Sequence, residues 1–512
     1  MPNAKKVLYL LTVLKIILPF LLQHSYYQPH RDEFLYLAEG QHLSWGYMEV
    51  PPLLSFFAWL THCFGGSLFW IKIWPALFGG LTFFLAGRIV LMLGGRSLAL
   101  FLTFLPFATQ FLRLNFLFQP GFLEVFCWTL CAFTLLNYIL SERNSWLYFF
   151  GISAALAILS KYTSIFYLAS LLIALLFTPY RKIFLNRHLY FAGLLALVII
   201  APNIYWQYMH RFPVFTHMKE LQETQLQFVS RKEFLLGQLK NNTLVIYLPL
   251  AAFLFMFTVK GKPFRIFGIA YVLLISYMAW MHAKAYYVLG VYPILHAIGA
   301  YYIETLTARR LRAIPYVLAG LTCALAIYVL PLIMPVMKPE QLAGYYKRSG
   351  LQKNGFKWED LKQHPLPQDF ADMFGWKETV LKTAAAYKTI PPADRPYTVI
   401  YCPSYAFAGA LNFYGPALGL PKALSTNASF LFWMPDRYNV KHLLLVAHNI
   451  PDENDPVFRQ FSTGTMMDSL NNPLARENGI RIMLYEDADP RINHIIETTV
   501  AKEKAKFTRT GR

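Results

Sequence analysis

Asp32 and Glu33 are adjacent carboxylates just past the first long apolar stretch of the chain. Gly46-Tyr47 and Pro51-Pro52 follow within about 20 residues. A carboxylate held at the end of a membrane span can take a proton from an acceptor hydroxyl. The same position can receive a lipid-borne donor sideways from the bilayer. If the segment from Pro29 to Gly40 is helical, Asp32, Tyr36 and Glu39 share one face at i, i+4, i+7 spacing. Phe34, Leu35, Leu37 and Ala38 cover much of the rest, as in a helix lying in the membrane interface. The bland alternative is that Asp32 is only a cap, because Asp is common at helix starts.

The surrounding chain must supply the membrane. It has 512 residues, 56% hydrophobic and 15% charged, with a mean hydropathy of +0.36. Soluble domains carry ~25% charged residues. Expected spans are 7–23, 68–92, 97–112, 121–140, 146–160, 162–179, 189–207, 241–259, 264–282, 286–304 and 314–335. The fold class is therefore a polytopic α-helical membrane protein with about 11 transmembrane helices and a C-terminal soluble α/β domain.

The net charge of +19 does not imply nucleic acid, because Lys and Arg sit in short loops between spans. Lys5-Lys6, Arg88 and Arg96, Arg143, Arg181 to Arg187, Lys260 to Arg265, and Arg309 to Arg312 fall on alternate loops. Those loops are assigned to the cytoplasm. The other face then holds Asp32, Arg113 to Gln119, Lys161, loop 208–240, Lys284 and the C-terminal domain. Loop 208–240 carries both basic and acidic residues. It reads as an amphipathic helix on the headgroups or, less simply, as a phosphate site.

The expected domains are 1–336 (membrane catalytic), 337–500 (extracytoplasmic α/β) and 501–512 (disordered tail). Strand-like runs lie at 397–402, 442–447 and 480–485, with helix-like stretches at 376–388 and 405–412 between them. No nucleotide loop occurs in the tail. The five cysteines form neither CxxC nor a Cys/His cluster, so zinc has no support.

The first-loop motif resembles that of membrane glycosyltransferases of the GT-C class, nearest to protein O-mannosyltransferases, the lipid A aminoarabinose transferase and related family 39 bacterial enzymes. Their Asp-Glu…Tyr…Gly-Tyr…Pro-Pro-Leu pattern is matched by Asp32-Glu33, Tyr36, Gly46-Tyr47 and Pro51-Pro52-Leu53. Leu159 to Thr163, Pro202-Asn203 with Trp206, Phe212-Pro213 with His217, and Lys284 with Tyr286-Tyr287 and Tyr292-Pro293 resemble later motifs. So do Leu366-Pro367-Gln368, Gly375-Trp376, Tyr414-Gly415-Pro416 and Gly419-Leu420-Pro421 in the tail. One departure stands out. Many members place an acid before the Pro of the second outer loop, where this chain has Gln119, with Glu124 one turn further on. That departure weakens a metal or second-acid role there, and the need for a divalent ion stays open.

The resemblance implies sugar transfer from a polyprenyl-phosphate donor to an extracytoplasmic glycolipid, polysaccharide or protein, at a bacterial inner membrane. Asp32 is the expected base of a single inverting displacement, with Glu33 orienting the acceptor or a nearby cation. Arg113, Lys161 and Lys284 are candidates for the leaving phosphate, since cations at span ends are costly unless used. Tyr36, Tyr47, Glu49, Glu124, His217, Tyr286 and Tyr287 complete the candidate substrate site, although the tyrosines also suit an interfacial belt. The rival readings are a polytopic transporter or flippase, and a polymer ligase or non-catalytic assembly protein.

Overall fold

The computed structural model describes residues 2–351, 355–450, 452 and 455–509. Its first part is helical: α1 (Pro2–Leu22), α2 (Arg31–Gln41), α3 (Leu53–Cys63), α4 (Leu68–Met92), α5 (Ser97–Phe107), α6 (Pro120–Ser141), α7 (Ser145–Ser160), α8 (Ser164–Leu176) and α9 (Arg187–Met209). There follow α10 (Pro213–Thr224), α11 (Arg231–Asn242), α12 (Tyr247–Met256), α13 (Arg265–Trp280), α14 (Tyr292–Thr307) and α15 (Ile314–Ile333).

The expected spans fall on these helices, but the count of 11 is not reproduced by length. Among the described residues, five helical stretches are long and apolar enough to cross a bilayer: Leu68–Met92, Pro120–Ser141, Arg187–Met209, Lys262–Trp280 and Ile314–Ile333. Two broken pairs bring the number to seven if each is one span. These are Ser164–Leu176 with Pro179–Leu185, bent by 110°, and Arg231–Asn242 with Tyr247–Met256, bent by 100°. The physical cause of the shortfall is that apolar runs are interrupted by turns. Ser97–Phe107 and Ser145–Ser160, for instance, are 11 and 16 residues long.

Bundle packing uses small residues where backbones meet. A Cβ on Gly299 of α14 would lie 1.9 Å from the Leu248 carbonyl oxygen of α12. One on Gly151 of α7 would lie 2.4 Å from that of Ala192 on α9. Only glycine lets these helices approach so closely. Trp128 stacks on Tyr167, centroids 4.3 Å apart, and donates to Ser164 Oγ at 2.7 Å. That fixes α6 against α8.

The C-terminal part opens with α16 (Pro339–Ser349) and a small hairpin, β1 (Phe356–Lys357) and β2 (Gln363–His364). Next come α17 (Gln368–Ala371), α18 (Trp376–Thr389), β3 (Thr398–Tyr401), α19 (Tyr405–Tyr414), β4 (Ala423–Leu424), β5 (His442–Ala447), β6 (Phe461–Ser469), β7 (Arg481–Ala488) and α20 (Arg491–Ala505). The main sheet has the order β4-β3-β5-β7-β6. β3 is parallel to β4 and β5, while β7 runs antiparallel to β5 and β6. Every residue of β5 is buried, as expected for a central strand covered on both faces.

The expected strands and helices of this part are found, whereas β6 went unread. Its Ser462-Thr463-Gly464-Thr465 run is polar and largely exposed, as suits an edge strand rather than a buried one. The disordered tail from 501 is corrected through Arg509. Helix α20 runs to Ala505, Phe507 packs beside Met48 and Leu431, and the Arg509 N–H donates to the Met209 carbonyl at 3.1 Å. Residues 510–512 lie outside the described residues.

This C-terminal part shares a core with the first loop. Tyr27, Phe34, Leu35 and Phe116 are buried together with Phe370, Trp376 and Phe407.

Candidate functional site

Helix α2 begins with a reciprocal cap. His30 Nδ1 accepts from the Asp32 N–H at 3.2 Å, and Glu33 Oε2 accepts from the His30 N–H at 2.8 Å. His30 and Glu33 therefore satisfy the helix end, which leaves the Asp32 carboxylate available. Its side chain is 31% exposed and faces a cavity of about 1560 Å³.

Segments far apart in sequence line that cavity. Asp32, Tyr36, Glu49, Arg113, Lys161, His217, Lys284, Tyr286 and Tyr287 are all on its wall. The loops that the charge pattern placed on one face thus converge on one space.

Tyr405 Oη donates to Asp32 Oδ1 at 2.6 Å, and Gln119 Nε2 donates to Oδ2 at 3.1 Å. The cations each have an anchor. Lys161 Nζ lies 3.1 Å from Glu124 Oε2 and 4.4 Å from the Tyr287 ring centroid. Thr163 Oγ1 donates to the other Glu124 oxygen. Lys284 Nζ donates to Gln225 Oε1 at 2.5 Å and lies 3.5 Å from Glu359. Arg113 pairs with Asp369 at 2.9 Å and donates to the Ile333 carbonyl at 3.2 Å, and also to that of Leu332. His217 sits on α10, where burial lowers its imidazole below the usual range.

Three of the expected site residues do not line the cavity. Glu33 is fully buried. It holds Lys72 Nζ at 2.6 Å and accepts from the Phe118 N–H at 2.6 Å. Its charge is consumed in tying α2 to α4 and to the second outer loop. Tyr47 is 1% exposed, and its hydroxyl donates to the carbonyls of Glu39 and His42 while accepting from the Ser44 N–H. It clamps the turn after α2. Glu124 is buried behind Lys161 and Thr163, both of which line the cavity.

Sequence reading passed over Tyr405 and the anchors from the C-terminal part. Ser429 donates its N–H and Oγ to Glu49 at 2.8 and 2.6 Å. No local signal could have joined residues some 380 positions apart. In the sequence Gln119 is only a departure from the family pattern, and the structure puts its amide on the Asp32 carboxylate.

Two carboxyls at this junction titrate unusually. Burial raises Asp372 to about 7, against the opposing His30, Arg476 and Arg31. Burial raises Glu49 to about 7 as well, although its bonds to Ser429 oppose the shift. An unfolded Asp titrates near ~3.9. Between that value and about 7 the folded Asp372 keeps a proton that the unfolded one has lost. The unfolded state then binds fewer protons, so this group makes stability fall as pH rises through the window. His217 works in the opposite direction, so the test is a difference. Relative to the wild type, Asp372→Asn should gain thermal stability as the pH is raised from 5 to 8. A wild-type-minus-variant gap that stays constant in melting curves would refute this assignment.

Among the described residues no group of three His, Cys, Asp or Glu side chains could hold a divalent ion. The neighbour facing Asp32 Oδ2 is the Gln119 amide nitrogen, a donor rather than a ligand.

Residues 49–206 match the family model described as dolichyl-phosphate-mannose-protein mannosyltransferase. The match begins after Asp32 and includes Lys161 and the Pro202-Asn203 motif. The resemblance to membrane glycosyltransferases read from the motifs is thereby shown over this stretch. No curated protein matches the chain.

Solved structures with some likeness include an Archaeoglobus fulgidus oligosaccharyltransferase tethered to an acceptor peptide. It has a TM-score of 0.43 at 14% identity, with 86% of this chain and 68% of that chain covered. Another is the oligosaccharyltransferase AglB of the same organism with an inhibitory peptide and a dolichol-phosphate. It has a TM-score of 0.36 at 13% identity, covering 86% of this chain and 69% of that one.

Proposed function

We propose that this protein is a membrane glycosyltransferase that moves a sugar from a lipid-linked phosphate donor to an acceptor hydroxyl, with Asp32 as general base. The observation that carries the reading is the convergence of Asp32, Arg113, Lys161 and Lys284 on one cavity. A base and several cations in one partly dry space are what such a transfer requires.

The donor's leaving group is a phosphate, so the sugar arrives activated. Asp32 removes the proton of the acceptor hydroxyl as its oxygen attacks the anomeric carbon. The bond from that carbon to the phosphate oxygen breaks, and the negative charge passes to the lipid phosphate. Lys161, Lys284 and Arg113 are placed to meet this charge, and such stabilisation is worth most where water is excluded. One displacement inverts the anomeric carbon and needs no second carboxylate nucleophile. Tyr36, Tyr286 and Tyr287 offer ring faces and hydroxyls to the sugar. In this reading Glu33 acts indirectly, by fixing α2, which carries Asp32, to the loop that carries Gln119. Tyr47 likewise fixes the turn that presents Glu49.

The active site and the C-terminal part lie on the extracytoplasmic face in this reading, by the distribution of basic loops. The donor carrier is a polyprenyl phosphate, and the membrane is the bacterial inner membrane. The acceptor is a lipid A, a polysaccharide, another glycolipid or a protein hydroxyl.

The test is mass spectrometry of envelope glycolipids and glycoproteins from cells with and without the gene. A mass loss equal to one sugar on a single acceptor class is the expected result. An intact lipid held on the wrong leaflet, with no sugar missing anywhere, would replace the transferase with a flippase.

A further inference from the structure

We infer that the C-terminal part is a working piece of the active site, because its Tyr405 is a positioning residue for the Asp32 carboxylate. The inference rests on the reading of Asp32 as the base. It adds a residue that lies 373 positions away in the chain.

The contact is built rather than incidental. Tyr405 opens α19, and its N–H donates to Asn427 Oδ1 at 3.2 Å. The Arg31 guanidinium carbon lies 5.5 Å from the centroid of its ring. Burial raises the phenol well above its usual value, so the hydroxyl stays a donor.

The backbone beneath is equally constrained. A Cβ on Gly409 would lie 2.7 Å from Phe34 Cβ and 3.0 Å from the Phe34 carbonyl oxygen. Helix α19 therefore rests directly on α2, which holds the ends that carry Tyr405 and Asp32 side by side. Two further latches join the same surfaces: Ser429 to Glu49 at 2.6 Å and Glu477 to Arg31 at 3.7 Å.

The chemical consequence follows from the carboxylate's capacity. Two oxygens offer about four acceptor positions. Tyr405 takes one on Oδ1 and Gln119 one on Oδ2, from opposite segments. The carboxylate is then fixed in rotation and still has lone pairs open to the cavity. Tyr405 thus keeps the Asp32 carboxylate aimed before the acceptor arrives.

The experiment is infrared difference spectroscopy of the full chain in lipid nanodiscs at neutral pH, without substrate. The Asp32 carboxylate signal is the one missing in Asp32→Asn. In Tyr405→Phe its carboxylate stretching bands should shift, because one oxygen has lost its donor. Tyr401→Phe is the control. Its hydroxyl pairs with Thr426 Oγ1 at 2.8 Å, away from Asp32, and its loss should leave the bands in place. Bands in Tyr405→Phe that coincide with the wild type overturn the inference, as does an equal shift in Tyr401→Phe. Should Tyr405→Phe fail to fold, 3-fluorotyrosine at position 405 replaces it. A stronger donor there should shift the bands in the opposite sense, and no movement would refute the contact. None of these readings depends on sugar transfer. A failure of the glycosyltransferase reading would show separately, as no sugar missing from any acceptor in cells without the gene.

Discussion

Asp32→Asn is expected to lower sugar transfer by ~10²–10⁴-fold, the usual contribution of a positioned general base. The loss should fall on turnover, with donor affinity largely kept. The substitution is nearly isosteric, and the new amide oxygen can still accept from Tyr405. The packing around α2 does not rely on this side chain, since the cap is made by His30 and Glu33. A folded variant without turnover would therefore isolate the chemistry. The measurement is release of lipid phosphate together with sugar incorporation in membranes carrying either form. Wild-type rates in Asp32→Asn would remove this carboxylate from the mechanism as its base.

Lys72→Met should be the most destabilising single change near the site, at about 3–5 kcal/mol, because it leaves a buried charge unpaired. Lys72 is 2% exposed and Glu33 is 0% exposed. The ammonium touches both Glu33 oxygens, at 2.6 and 2.8 Å, and lies 4.2 Å from the Phe116 ring centroid. Removing it strands the carboxylate among apolar neighbours. Glu33→Gln combined with Lys72→Met should recover part of the loss, since no charge then stays buried. Recovery should be incomplete. Glu33 also accepts from the N–H groups of Phe118 and His30, one on each oxygen, and an amide replaces one of those acceptors with a donor. Thermal unfolding can be followed with a thiol-reactive dye, because Cys127, Cys131 and Cys402 are buried in the fold. If Lys72→Met melts with the wild type, the pair contributes nothing and the second outer loop must be held otherwise.

The same pair shows where sequence reading stops. Adjacent carboxylates invite a shared role, yet Asp32 and Glu33 lie on different sides of α2. One faces the cavity and the other faces α4. Consecutive residues on a helix point about 100° apart, so adjacency cannot decide which one meets the substrate. Lys72 sits in the middle of an apolar run, and nothing in its neighbourhood names Glu33 as a partner. Gln119 reads as a missing acid, and in the fold it is a donor to the Asp32 carboxylate. Tyr405 carried no signal at all, because a hydrogen bond between a first-loop helix and a distant tail leaves no local spacing.

Other features were legible for plain reasons. Apolar runs marked the helices because lipid and a packed core both exclude charge. Their lengths as unbroken helices were not legible, because a helix can end inside an apolar run, as α5 does at Phe107 where the expected span reached 112. In the tail, β5 and the α18 and α19 segments were readable from their periodicity, while polar β6 was not.

By itself, the sequence determined the membrane class, the approximate helix sites, the core of the tail's sheet and the loops that carry the candidate base and cations. These depend on hydrophobicity and local spacing, which act over a few residues. The tertiary structure alone decided which carboxylate faces the cavity, which cations are already anchored and that the tail reaches the Asp32 carboxylate. Those outcomes depend on the burial of charges and on hydrogen bonds between segments up to 381 residues apart. Such contacts exist only once the chain has closed on itself.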